Sequence, residues 1–130
     1  MSETSQIPPD RLYVVVCSSG FEHPARVRSA LMFATLAASS DYRAVLFCIQ
    51  NAVDVMVKGA IGKHEIPEPG MPSLDQRLQE AIDMGVEIHC CTQVMANKKL
   101  LAEDLIPVAR TAGAMTLIEL TTTAEATLSF

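Results

Sequence analysis

The chain has no tryptophan, and aromatic residues make up only 5% of it, so any core must be assembled from Val, Ile, Leu, Met and Ala. It has no run of about 18 apolar residues of the kind that spans a membrane, and its opening residues do not follow the signal-peptide pattern. Basic residues are in deficit, 10 against 15 acidic ones, for a net charge of −5. Nucleic-acid backbones and anionic membranes reward basic patches, so neither is expected as a partner. No Cys-x-x-Cys pair, internal repeat or low-complexity stretch occurs. The expected compartment is the cytoplasm, where Cys17, Cys48, Cys90 and Cys91 stay as thiols rather than forming a disulfide framework.

What remains is a chain of 130 residues, 49% of them apolar, enough for one domain with a sizeable core. Residues 1–10 are polar, end in Pro8-Pro9 and read as a loose extension, leaving a single domain over residues 11–130. Leu12–Ser18 is a Val-rich apolar run, as expected of a strand covered on both faces. Ser19-Gly20 turns the chain, and Pro24 suits the first turn of a helix reaching about Ala38. Arg43–Gln50 is a second buried strand, with a short helical stretch near Val53–Val57. Val57–Pro72 carries three glycines and three prolines and reads as a loop, either a lid or a mobile segment. Ser73 and Gln76 form a capping-box signature before a helix that Gly85 stops.

Val86–Cys91 is the next strand, then a short helix at Thr92–Ala96 and another from about Glu103 to Thr111, where Pro107 sits awkwardly. Met115–Leu120 reads as a strand and Ala126–Phe130 as an edge strand. The alternation predicts an α/β fold: a mostly parallel five-stranded sheet with helices on both faces. On the first helix Val27, Ala30, Leu31, Ala34 and Ala38 form the sheet-facing side. Met32, Phe33 and Leu36 fall opposite, which fits a subunit interface.

The strongest local signal is His89-Cys90-Cys91-Thr92 at the end of a buried strand, the place where parallel sheets gather ligands and chemistry. A residue leaving the strand there meets the free N–H groups of the following helix, which favour an anion and lower a thiol pKa. Lys98 and Lys99 are placed to add positive potential. Adjacent strand residues face opposite ways, so Cys90 and Cys91 divide between core and rim, with Cys91 the better nucleophile. The competing reading makes both of them small core residues, and on physics alone the two stand about even. Contiguous His89, Cys90 and Cys91 do not wrap a tetrahedral ion, and no spacing calls on His23 or His64, so no metal is expected. Cys17-Ser18-Ser19-Gly20 also ends a strand before a helix and could cradle an anion or phosphate, although Cys17 and Cys48 read as structural. Lys58, Lys63 and His64 read first as a solvated surface, and secondly as a lid carrying a cation over Cys91.

Gly85–Thr92, Glu103–Ile106, Ala112-Gly113-Ala114 and the closing Leu128-Ser129-Phe130, in that order, resemble the DsrE/DsrF-like family. The resemblance implies a flavodoxin-like sheet, assembly into homo-oligomers (trimers or hexamers), and a persulfide-carrying cysteine at the position of Cys91. No organic cofactor or metal is implied. The Cys90-Cys91 pair is similar to a subgroup found with heterodisulfide-reductase-like sulfur oxidation, which implies TusA-type carriers and rhodanese as partners. Asn97-Lys98-Lys99 stands where the reverse sulfite-reductase branch often has Arg-Arg-Gly. The function expected is that of a sulfur carrier or sulfurtransferase acting through Cys91 and Cys90. The alternative is a small-molecule or nucleotide-binding oligomeric module that uses the Cys17–Gly20 loop, its cysteines purely structural.

Overall fold

The computed structural model describes residues 11–130, and the extension expected over residues 1–10 lies outside them. Five strands, β1 (Leu12–Cys17), β2 (Arg43–Cys48), β3 (Glu87–Cys91), β4 (Ala109–Ala112) and β5 (Ala126–Ser129), pair in the order β4-β3-β2-β1-β5, all parallel. The helices are α1 (Pro24–Ser39), α2 (Ala52–Val55), α3 (Ala60–His64), α4 (Leu74–Asp83), α5 (Thr92–Asn97) and α6 (Ala114–Thr123).

From β1 to β4 the chain steps along the sheet in one direction, and it then returns to the opposite edge to lay down β5. Right-handed crossovers put connections on one face while the chain moves one way and on the other face when it moves back. Accordingly α1 and α4 cover the face carrying Val15, Leu46 and Ile88, while α6 crosses the face carrying Val14, Val45 and Phe47. The result is the expected three-layer, flavodoxin-like α/β arrangement.

Local signals in the first two thirds of the chain act as the sequence predicts. Ser73 Oγ accepts from the Gln76 N–H and the Gln76 side chain accepts from the Ser73 N–H, completing the capping box of α4. Gly85 takes φ +85° just past the end of α4, a conformation costly for a residue with a Cβ. On α1, Val27, Ala30, Leu31, Ala34 and Ala37 are buried; Ala38, expected among them, is only half-buried. Phe33 and Leu36 are exposed, although Phe33 also stacks on Phe130 with ring centroids 5.6 Å apart.

Two expectations in the last third are corrected. Glu103–Thr111 is not a helix: a single 3-10 turn at Ala102–Asp104, closed by the Leu101 N–H on the Asp104 carboxylate, leads through Pro107 into β4. Met115–Leu120 is not a strand but the body of α6. Its apolar run resembles a two-sided strand because both sides of the helix are greasy. Leu120 is buried and Leu117 half-buried against the sheet, while Met115 and Ile118 are 69% and 53% exposed. The true strand lacks an apolar run because it is an edge strand whose Arg110 and Thr111 reach solvent.

Gly20 marks the tightest backbone approach at the carboxyl edge, where a Cβ would collide with the Asn51 carbonyl of the loop after β2. That obstacle is backbone and cannot rotate away. Gly20→Ala should therefore lower unfolding free energy by about 1–3 kcal/mol, measured as a shifted urea midpoint at constant m-value. A midpoint unchanged from the parent chain would show that the two loops are free to separate.

Candidate functional site

In-register parallel pairing places Cys17 beside Cys48, and Cys48 beside Cys90, at the carboxyl ends of β1, β2 and β3. Register partners point to the same side of a sheet, so these three thiols form a row on the α1/α4 face, all in the same apolar cluster. Cys91 is one residue further along β3 and points the other way, toward α6, packed among Val45, Phe47, Ala112 and Leu120. It is 6% exposed, whereas Cys90 is 0% exposed. All four are free thiols.

Cys91 is the N-cap residue of α5, with φ −65° and ψ 124°, and its side chain makes no capping bond. Its register partner Ala112 immediately precedes Gly113, the N-cap of α6. Thr92 Oγ1 lies 3.8 Å from where a Cβ on Gly113 would stand, so the first turns of α5 and α6 start side by side. The free N–H groups at such helix starts favour negative charge.

Two of the other thiols, Cys17 and Cys48, are disfavoured as anions. Burial pushes Cys17 up to about 11, and its thiol donates to the Ser19 carbonyl at 3.3 Å. Cys48 is pushed well above the ordinary thiol range, first by hydrogen bonding with the Cys90 thiol and then by burial.

Of the two lysines expected to assist Cys91, Lys98 is engaged elsewhere. Lys98 donates to Asp54 at 3.0 Å and to Asn51 at 3.1 Å. Lys99, with φ 59°, lines a cleft of about 570 Å³ together with Thr92, Met95 and Thr111. The Val57–Pro72 segment does not close over Cys91, because none of the residues packed around that thiol comes from it. It is instead tied to the α1/α4 side. Val57 bridges Leu105, the Lys58 N–H reaches the Asp104 carbonyl, His64 stacks on Phe21, and both Glu65 carboxylate oxygens accept from the Leu74 N–H. Lys63 is exposed on α3 within this segment.

The Cys17–Gly20 loop is already occupied by an anion of the chain itself. The Gly20 N–H donates to Glu22 Oε1 at 2.9 Å, and the Ser18 N–H and hydroxyl both go to the Phe130 carbonyl. Desolvation pushes the Glu22 carboxyl up, but bonds from its own N–H, the Gly20 N–H and Asn51 outweigh it and hold Glu22 below the usual range. A phosphate would have to displace a carboxylate, so this loop lends no support to nucleotide binding.

His89 was weighed in the sequence only as a metal ligand, yet it shares Cys91's face two residues earlier, a placement that period-2 alternation alone could have revealed. It stacks on Phe47, centroids 6.0 Å apart, and both ring nitrogens are buried without a hydrogen-bond partner. Burial lowers its pKa, and Arg110 and Arg43 add to this against the opposing pull of Glu87 3.7 Å away. Arg43 holds Glu87 bidentately at 2.7 and 3.0 Å, and that pair depresses the Glu87 carboxyl. His23 sits in the N-cap position of α1 without a side-chain capping bond. Among the described residues no group of three or more His, Cys, Asp or Glu is disposed to hold a metal ion. No helix there is long and apolar enough to cross a membrane.

These shifts predict two separate acid transitions. Below about 6.5 the unfolded chain takes up a proton at His89 that the folded chain resists, so stability falls as pH drops from 7.5 to 5.5. The Glu87 contribution persists through that range and is lost only as pH falls through its depressed folded value, below 4.5. Urea midpoints measured across pH should show the first slope in the parent chain and a shallower one in His89→Gln. An equal slope in the two proteins would place the titrating group elsewhere.

The DsrE/DsrF-like family model matches residues 11–130, and the chain belongs to that family. Among solved structures it is similar to the ychN protein from E. coli, with a TM-score of 0.74 and 18% identity, over 93% of this chain and 99% of that one. At that identity the likeness speaks to the fold. No curated protein sequence matches.

Proposed function

We propose that this member of the DsrE/DsrF-like family is a cytoplasmic sulfur carrier that holds sulfane sulfur as a persulfide on Cys91 and passes it to an acceptor thiol. The observation that carries the reading is the isolation of Cys91. It alone of the four thiols faces α6, at the point where two helices begin, while Cys17, Cys48 and Cys90 share the opposite face. The family's link to sulfur relay supports the same chemistry.

The Cys91 thiolate attacks the outer sulfur of a donor persulfide, R–S–SH, giving Cys91–S–SH and releasing the donor as R–S⁻. An acceptor thiolate then takes the outer sulfur by the same displacement and returns Cys91 as thiolate. No net redox change occurs, and neither metal nor organic cofactor takes part. Both steps need Cys91 as its thiolate, and the residue stands at the N-terminal end of α5. Cys90 packs behind the site on the other face and contributes shape rather than the transferring sulfur. A thiol only 6% exposed suits guarded storage and delivery to a docked partner better than rapid turnover with small molecules. The paired Cys90-Cys91 favours a place beside heterodisulfide-reductase-like sulfur oxidation, with a rhodanese as donor and a TusA-type carrier as exchange partner.

The same reading includes assembly into a homo-oligomer, a trimer or a hexamer built on trimers. Leu36, 51% exposed on α1, and Met115 and Ile118 on α6 leave apolar surface on both outer layers that a lone protomer has no reason to show.

Incubation with inorganic polysulfide should add one or more increments of roughly 32 Da that a reductant removes. Cys91→Ser should end lasting gain and Cys17→Ser should leave it unchanged, while Cys90→Ser should reduce it without ending it. Light scattering on the same samples should give a multiple of the 14.1 kDa protomer. Lasting gain in Cys91→Ser equal to that of the parent chain would overturn the assignment, and a protomer-sized particle would overturn the assembly.

A further inference from the structure

Helices α4 and α5 close in the same way, on a residue in the left-handed region where a Cβ is costly. After α4 that residue is Gly85, at φ +85°, with the Gly85 N–H on the Ile82 carbonyl and the Val86 N–H on the Ala81 carbonyl. After α5 it is Lys99, at φ 59°, with the Lys99 N–H on the Ala96 carbonyl at 3.1 Å and the Leu100 N–H on the Met95 carbonyl at 2.8 Å. Glycine is the usual occupant of this position. The chain therefore carries a strained backbone in order to hold a lysine there. That lysine enters none of the ion pairs among the described residues.

The position puts Lys99 on the cleft of about 570 Å³ beside α5. That size lies within the roughly 300–1,000 Å³ usual for small-molecule sites, which are mostly apolar with a few placed polar groups. Here Met95, Leu100 and Leu101 supply apolar wall, and Leu101 is left 61% exposed. The polar side chains are those of Lys99, Thr92 and Thr111, and none of the lining side chains is acidic. Met95 packs in the cluster under α1 and α4, and Thr111 is the register partner of Cys90. The cleft thus belongs to that side of the sheet, away from the face on which Cys91 packs.

We propose that this cleft binds a small organic anion, a single carboxylate on an apolar chain, with the carboxylate at Lys99 and the chain along Met95, Leu100 and Leu101. One cation matches one negative charge. The several charges of a nucleotide would go unmatched in a chain of net charge −5. A cationic ligand meets repulsion from Lys99, and a neutral one gains nothing from it. Lys99 is exposed whereas Met95 is 4% exposed. The charged ends therefore meet at the wet rim, where a carboxylate keeps part of its hydration, and the apolar chain lies deeper. The inference is independent of the sulfur chemistry assigned to Cys91.

Isothermal titration calorimetry of the full chain with sodium octanoate, kept below its micelle-forming concentration, tests this. The parent chain should take up one octanoate per protomer and give no binding heat with octylammonium. Lys99→Glu should weaken octanoate by about tenfold or more and admit octylammonium instead. Lys99→Gly should weaken octanoate by about tenfold, while its urea midpoint equals or exceeds the parent's because glycine relieves the left-handed turn. Loss of affinity in that variant is then not loss of structure. Leu101→Asp, at an exposed position, places a like charge on the apolar wall and should weaken octanoate as well. No octanoate binding by the parent chain, octanol binding as tightly as octanoate, or octanoate affinity unchanged in Lys99→Glu or in Leu101→Asp would each overturn the inference.

Discussion

A parallel sheet gives each strand two faces and locks neighbouring strands in register, and this constraint decides what every thiol here is able to do. Because β1, β2 and β3 end level with one another, cysteines at their last matched positions are forced into a row under α1 and α4. One further residue along β3 reverses the direction, and Cys91 emerges beneath α6. A slip of one residue in β3 would exchange Cys90 and Cys91 and place the proposed carrier against Cys48. The packing of Ile88 and Cys90 on one face and of Cys91 on the other therefore fixes the chemistry as well as the core.

The second element is the return of the chain. Once the strands have stepped to the β4 edge, right-handed connection demands that α6 cross the opposite face. Its start then falls beside the start of α5, because Cys91 and Ala112 are register partners. Topology thus sets the first turns of two helices beside Cys91, while Lys98 is committed to Asp54 and Asn51.

Much of this was legible in the sequence, and the failures have physical causes. Strand periodicity was enough to separate Cys90 from Cys91, and the first three strands and α1 and α4 announced themselves by apolar runs, Pro24, the capping box and Gly85. The row formed with Cys17 and Cys48 could not be read locally, because register between distant strands is a tertiary property. Met115–Leu120 misled because a helix with apolar residues on its outer side imitates a covered strand. Ala109–Ala112 was missed because an edge strand needs no such run. Lys98 was linked to Cys91 from nearness in sequence, and the Val57–Pro72 segment was offered as a lid, second to a solvated surface, from its Gly and Pro content, whereas the fold ties both to the opposite side of the sheet.

The division of the four thiols between two faces is open to direct measurement by alkylating the reduced, native protein with iodoacetamide and following each cysteine by peptide mass spectrometry. Cys91 should react first, with Cys17, Cys48 and Cys90 protected until denaturant is added. Modification of Cys90 or Cys17 at a rate equal to or above that of Cys91 in the native protein would contradict the account.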